Sequence, residues 1–202
     1  MQIILIRHGS TAGNLEHRYV GTTDEPLTEQ AVIQLQNSII KYPNADILFV
    51  SPMKRCVQTA GLIYPDMEQN TAEGLRECDF GAFEYKNYLE LQDNPDYQKW
   101  LDSGGILPFP KGESRAEFSE RCCRAFEACC HFALENNFES AAFVVHGGTI
   151  MAVMERFARP QKGYFDWQVK NVQGFCGSLE STVSSEESNS LQFLIRNIER
   201  IG

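Results

Sequence analysis

Hydrophobic positions in this chain fall into short solid runs and longer periodic stretches that alternate along the sequence. Residues 2–7, 46–50 and 141–145 are built on solid apolar runs (3–6, 47–50 and 141–145) too short for helices, so they predict strands buried on both faces. Between the first two, residues 27–42 place Val32, Leu35 and Ile39 at i, i+3 and i+7, the stripe of an amphipathic helix. Ser51-Pro52 predicts the start of a second helix, to about Tyr64, with the serine as N-cap and the proline at N1. Residues 75–84 read as a polar and aromatic loop, residues 88–101 as a helix, and Gly104-Gly105 with Pro108 and Pro110 as a break. Ser114 and Glu117 form a capping box that opens a long helix to about Glu135. Another helix follows Gly147-Gly148 to about Ala158. Residues 174–181 and 191–198 read as two strands around a polar turn at 184–190. This alternation predicts an α/β fold, a three-layer sandwich whose mostly parallel central sheet is flanked by helices. No repeat or long linker divides the chain. Its 202 residues are expected to form a single domain, 1–202, burying roughly 70% of the unfolded surface.

Composition narrows the class. A hydrophobic content of 43% and a charged content of 22% describe an ordinary globular chain. No apolar run approaches the ~18 residues of a bilayer span, and the first strand lacks the length and basic flank of a signal peptide. A cytoplasmic location with no membrane partner is expected. A formal charge of −9 without a basic stripe argues against nucleic acid. It also means that an anionic ligand must be met by arginines gathered locally. Seven cysteines, an odd number, predict free thiols rather than a disulfide framework. Cys122-Cys123 and Cys129-Cys130 lack the C-x-x-C spacing or histidine partners of a zinc site. Cys122 and Cys129 share a helix face with Phe118, Ala125 and Phe126 and are read as small core fillers.

The candidate chemistry sits where three predicted strands stop: Arg7-His8-Gly9, Ser51-Pro52-Met53-Lys54-Arg55 and His146-Gly147-Gly148. In open α/β sheets ligands bind beyond the carboxyl ends of strands. A neutral imidazole is a competent nucleophile toward phosphorus, so His8 is the candidate nucleophile, with Arg7 holding substrate oxygens. Arg55 can offer a planar fork to two phosphate oxygens. His146 precedes a glycine pair and a helix N-terminus, a setting suited to an anion. A departing alkoxide needs an acid, and Glu77 in the irregular loop is the candidate, its pKa raised by partial burial. Asp79 is the competing choice. The aromatic group Phe80, Phe83, Tyr85, Tyr88, Tyr97 and Trp100 is read first as packing.

Together these residues carry a resemblance. Residues 5–14 and 18–28, Ser51 to Arg55 with Gln58-Thr59-Ala60, Leu75-Arg76-Glu77 with Phe80-Gly81 and Glu84, and His146-Gly147-Gly148 resemble, in order, the motifs of the histidine phosphatase (phosphoglycerate mutase-like) superfamily. The resemblance implies a phosphohistidine on His8, and Arg7, Arg55 and His146 around the phosphate. It also implies Glu77 as proton donor, Thr11, Asn14, Gly21 and Gly147 as phosphate or substrate contacts, and no metal or cofactor. One departure is Ala31, where the family usually has glycine; alanine favours the helix expected there.

Three activities are weighed: a phosphatase, a cofactor-dependent phosphoglycerate mutase, and a non-catalytic phosphate-binding module. Every catalytic position is filled, which argues against the last. A mutase wants extra cations for its multiply charged ligands, and the segment between Glu77 and the capping-box helix offers only Lys86, Lys99 and Lys111 among many acids. Hydrolysis is therefore expected. Phe80 to Glu84, the Tyr97 and Trp100 spacing, Pro110 to Ser114, and Phe118 with Arg121 are similar to α-ribazole phosphatases of cobalamin biosynthesis. That likeness implies α-ribazole 5′-phosphate as the small-molecule substrate, with a sugar or other metabolite phosphate as the alternative. Monomer and homodimer are both left open.

Overall fold

The structure, a computed structural model, describes residues 1–183 and 191–202; the turn expected at 184–190 lies outside the described residues. The strands are β1 (Gln2–Arg7), β2 (Ile47–Val50), β3 (Gln69–Thr71), β4 (Ser140–Val145), β5 (Gly174–Val183) and β6 (Leu191–Ile201). They form one sheet in the order β3-β2-β4-β1-β5-β6. The first four are parallel, and β5 and β6 extend the sheet in antiparallel fashion. The helices are α1 (Ala12–Leu15), α2 (Glu29–Gln36), α3 (Lys54–Ile63), α4 (Tyr88–Leu91), α5 (Pro95–Asp102), α6 (Arg115–Glu135) and α7 (Gly147–Phe157).

The solid apolar strands are explained by cover on both faces. Ile3, Leu5, Phe49, Phe143 and Val145 pack in one cluster with Phe118, Cys122 and Phe126 of α6 and Ile150, Val153 and Phe157 of α7. Ile4, Ile6, Leu48, Val50 and Val144 pack on the other side with Cys56 and Ala60 of α3. Cys122, Cys123, Cys129 and Cys130 are all buried free thiols, the core fillers the helix pattern predicts. Burial pushes Cys122, Cys123 and Cys129 up to about 12. The capping box forms as expected: Ser114 Oγ accepts from Glu117 N, and the Glu117 carboxylate accepts from Ser114 N.

Five elements differ from expectation. The short helix α1 forms where no helix was expected. The first expected helix is shorter, α2 running from its N-cap Thr28 to Gln36; Ala31 and Leu35 are buried, while Ile39 lies beyond the helix and is 95% exposed. Residues 88–101 split into α4 and α5, because Asn94 caps α5 with Pro95 at its first turn. The polar edge strand β3 has no solid apolar run to announce it. Finally, α3 begins at Lys54 with Met53 in the cap position and no side-chain cap from Ser51. Its first amide is capped from a distance: Lys54 N donates to Asp24 Oδ1 at 2.7 Å.

Strand register assembles the site. Arg7 lies opposite Val145, and Val50 opposite Val144. The residues that follow, His8, Ser51 and His146, therefore leave the sheet side by side.

Candidate active site

His8 is fixed through both backbone and ring. Its amide donates to the Val145 carbonyl at 3.0 Å, continuing the β1–β4 ladder past the strand end. Its Nδ1 lies 2.7 Å from the Gly9 carbonyl oxygen. A carbonyl can only accept, so Nδ1 carries the proton and Nε2 keeps a free lone pair. The ring is nearly enclosed, at 4% exposure. Burial foremost, then the positive charges of Arg55 and Arg7, hold its pKa well below the usual histidine range, against the pull of the Gly9 carbonyl. The nucleophile candidate is therefore neutral and directed. Gly9 N donates to Thr59 Oγ1, which donates to the Arg55 carbonyl, so α3 is tied to the nucleophile loop.

His146 stands edge-on to His8, with ring centroids 5.2 Å apart and planes at 68°. Its Nδ1 accepts from Arg55 Nε at 3.3 Å, and its Nε2 is 2.7 Å from Ser51 Oγ. Guanidinium has no acceptor, so the proton of the neutral ring sits on Nε2 and is donated to Ser51. Burial, Arg55 and the neighbouring His8 and Arg7 hold this ring well below the usual histidine range too. Ser51, expected to cap a helix, instead orients His146.

Arg55 departs from the expected phosphate fork. It is fully buried; Nη1 donates to the Thr23 carbonyl at 2.8 Å, and Nη2 to the carbonyls of Gly21 at 2.9 Å and Val20 at 3.4 Å. With Nε on His146, four of its five N–H hydrogens are engaged by the protein itself. Gly21 belongs to this clamp rather than to a substrate surface. Its amide donates to Glu84 Oε1, and a Cβ there would run into the Cys78 carbonyl. Thr11 is likewise fully buried, and forms with Asn14 the capping box of α1. Asn14 lines a polar cavity beside Arg7.

Arg7 is the cation nearest the open site. Nη1 donates to the Val169 carbonyl at 2.7 Å, while the buried Nε has no hydrogen-bond partner. Gly147 faces it: a Cβ there would lie 3.4 Å from Arg7 Nε. Glu77 completes the group. Its Oε1 accepts from Cys78 N at 3.0 Å and its Oε2 from Gly148 N at 3.2 Å. The carboxylate comes so close to Gly148 that a Cβ at that position would overlap Oε1. Burial raises its pKa above the usual carboxyl range, outweighing the two amides and the charges of Arg55 and Arg7. Asp79 turns elsewhere, its Oδ1 accepting from Gly81 N at 2.8 Å to close a turn. Of the two acids only Glu77 lines the cavity.

That cavity, about 350 Å³, opens from Arg7, Glu77, Gly147 and Gly148 onto Tyr19, Phe80, Trp100, Phe109, Phe118 and Tyr164. The aromatic group is thus divided. Phe83 and Tyr97 are buried packing, whereas Phe80 and Trp100 line the cavity. Sequence reasoning missed Ser51 as a partner of His146 and, although it singled out Arg121 and the segment holding Glu113, missed their contacts around the Glu77 backbone. Serine and charged residues carry no periodic signal that would have revealed these long-range bonds.

The fold and this cluster of paired histidines, arginines and a protonatable carboxyl define a phosphoryl-transfer protein. The profile of the histidine phosphatase superfamily (branch 1) matches residues 3–175, and the chain belongs to that family of enzymes. The adenosylcobalamin/alpha-ribazole phosphatase of Escherichia coli (strain K12) is 26% identical over 162 residues, covering 77% of this chain and 78% of that protein. A Proteus mirabilis (strain HI4320) protein named probable phosphoglycerate mutase GpmB is 31% identical over 137 residues, covering 64% and 63%. The crystal structure of the alpha-ribazole phosphatase from Shigella flexneri matches with a TM-score of 0.74 over 97% of this chain and 95% of that one. Its identity is 20%, a likeness of fold.

Proposed function

We propose that this enzyme hydrolyses a phosphate monoester through a phosphohistidine on His8, and that the ester is α-ribazole 5′-phosphate or the corresponding cobalamin phosphate. The observation that carries the proposal is the aromatic cavity beginning directly at Glu77, with Arg7 and Arg115 as its cations. A planar benzimidazole nucleoside fits such walls, while a small doubly charged glycolytic acid would find little there to hold its second anion. The name of the Escherichia coli relative points the same way.

The chemistry follows from the protonation states. His8 Nε2 attacks phosphorus in line with the leaving oxygen, and the P–O bond breaks as the N–P bond forms. Arg7 and Asn14 take the phosphoryl oxygens. Glu77, its pKa raised by burial, gives its proton in the acid form to the departing alkoxide. The resulting carboxylate then takes a proton from water as that water attacks the phosphohistidine, which restores His8 and releases phosphate. His146, with both nitrogens engaged, holds Arg55 in place and walls the imidazole.

A second reading, mutase action, is favoured by the larger polar cavity of about 1080 Å³, where Arg18, Lys170 and Arg200 share Arg7 with the site. Arg18 is already paired with Glu16 and Glu90, however, and Arg200 donates to the Gln168 carbonyl. Phosphate release in EDTA from α-ribazole 5′-phosphate, 3-phosphoglycerate, sugar phosphates and p-nitrophenyl phosphate decides between them. The expected result is a clear kcat/KM preference for α-ribazole 5′-phosphate. Interconversion of phosphoglycerates without net phosphate release would overturn the proposal.

A further inference from the structure

We infer that Glu113 and Arg121 are positioning residues for the proton donor; the inference rests on Glu77 acting as that donor. The segment that carries Glu77 follows a single 3-10 turn at Glu73–Leu75 and has no ladder to satisfy its backbone, so its carbonyls need other partners. Arg121, on α6, provides most of them. Nη1 donates to the carbonyls of Gly74 at 3.0 Å and Arg76 at 3.1 Å, and Nη2 to that of Glu77 itself at 3.3 Å. Thr149 of α7 donates to the Leu75 carbonyl.

The guanidinium is in turn held by Glu113. Nε donates to Oε1 at 2.8 Å and Nη2 to Oε2 at 2.7 Å, a two-pronged pair. Glu113 also fixes the far side of the acid: its Oε2 accepts from Asp79 N at 3.0 Å, and its own amide donates to the Asp79 carbonyl. One ion pair therefore holds the chain on both sides of Glu77. What remains mobile in Glu77 is its side chain, and that is docked on Gly148 N and Cys78 N. Neither Glu113 nor Arg121 lines the cavity, so both act through Glu77. Lysine cannot replace the arginine, since a single ammonium cannot span carbonyls and carboxylate in this fan.

The test compares kcat/KM on an alkyl monoester, ribose 5-phosphate or the best alkyl ester of the panel above, with that on p-nitrophenyl phosphate, whose phenolate leaves without an acid. Glu77→Gln serves as reference for Glu113→Gln, Arg121→Lys and Arg121→Gln. A displacement of about 1 Å can cost on the order of 100-fold. Glu113→Gln and Arg121→Gln are therefore expected to lose roughly tenfold or more on the alkyl ester and about twofold or less on p-nitrophenyl phosphate. Arg121→Lys is expected to fall between wild type and Arg121→Gln. Equal losses on both esters, or no loss, while Glu77→Gln keeps its selective defect, would overturn the inference. Equal losses in Glu77→Gln itself would instead overturn the proton-donor reading. Glu113→Gln is nearly isosteric and carries the test if Arg121→Gln fails to fold.

Discussion

Burial pushes the Glu77 carboxyl above the usual carboxylate range, against the opposing pull of two amides and two arginines, a shift in the direction its proposed role as acid needs. Replacing it by glutamine keeps the size and one accepting oxygen, but removes the titrating proton and leaves one of the Cys78 and Gly148 amides facing a donor. General acid catalysis is worth roughly 10²–10⁴-fold. Glu77→Gln is therefore expected to lose about that much on alkyl esters and to lose the alkaline limb of the kcat/KM profile, as measured by initial rates across pH. On the proposed mechanism the acid limb belongs to His8 and should persist, lying below about pH 6.5 because the folded ring resists protonation. Retention of the alkaline limb in the variant would assign it to another group. His8→Ala should abolish both turnover and acid-labile phosphate incorporation, checked by rapid quench with labelled substrate.

At the scale of elements, the helix that carries Arg55 is capped by a residue from another loop. Asp24→Ala removes the acceptor for Lys54 N and is expected to cost about 1 kcal/mol, the usual worth of an N-cap, measured by urea denaturation. An unchanged midpoint would mean that water replaces the cap. This element also shows what sequence could and could not say. Ser51-Pro52 is a sound local helix start, but local preference lost to a buried imidazole that needed the serine hydroxyl. Solid apolar runs announced β1, β2 and β4 and so placed the two histidines, because burial on both faces leaves a signature in adjacent residues. Strand β3, three polar residues at the edge, leaves none. The Glu113–Arg121 pair and the carbonyl clamp on Arg55 join segments distant in the chain, and polar long-range bonds have no period to read.

For the whole molecule, two neutral buried histidines make stability depend on pH. The unfolded chain protonates His8 and His146 near about pH 6.5, the folded chain only at lower pH. Between those values the unfolded state binds more protons, so this stabilisation is complete above about pH 6.5 and declines as pH falls below it. Glu77 acts with the opposite sign, since the folded chain holds its proton more tightly and that contribution is lost as pH rises through its raised pKa. Two histidines against one carboxyl give a net loss on acidification. The urea midpoint is expected to be lower at about pH 5.5 than at about pH 7.5, with a smaller drop in His146→Asn. An equal drop in that variant would move the effect to other groups.

The side-by-side exit of His8 and His146 from β1 and β4 has a kinetic consequence. The two strands lie far apart in the sequence, at Gln2–Arg7 and Ser140–Val145, and their pairing closes the chain between them into a long loop, a step slow to form. No partly folded species lacking that pairing can hold the nucleophile against its neighbour. Recovered turnover after dilution from urea is thus a clock for the closing of the sheet's centre, and it should lag behind the return of helical signal.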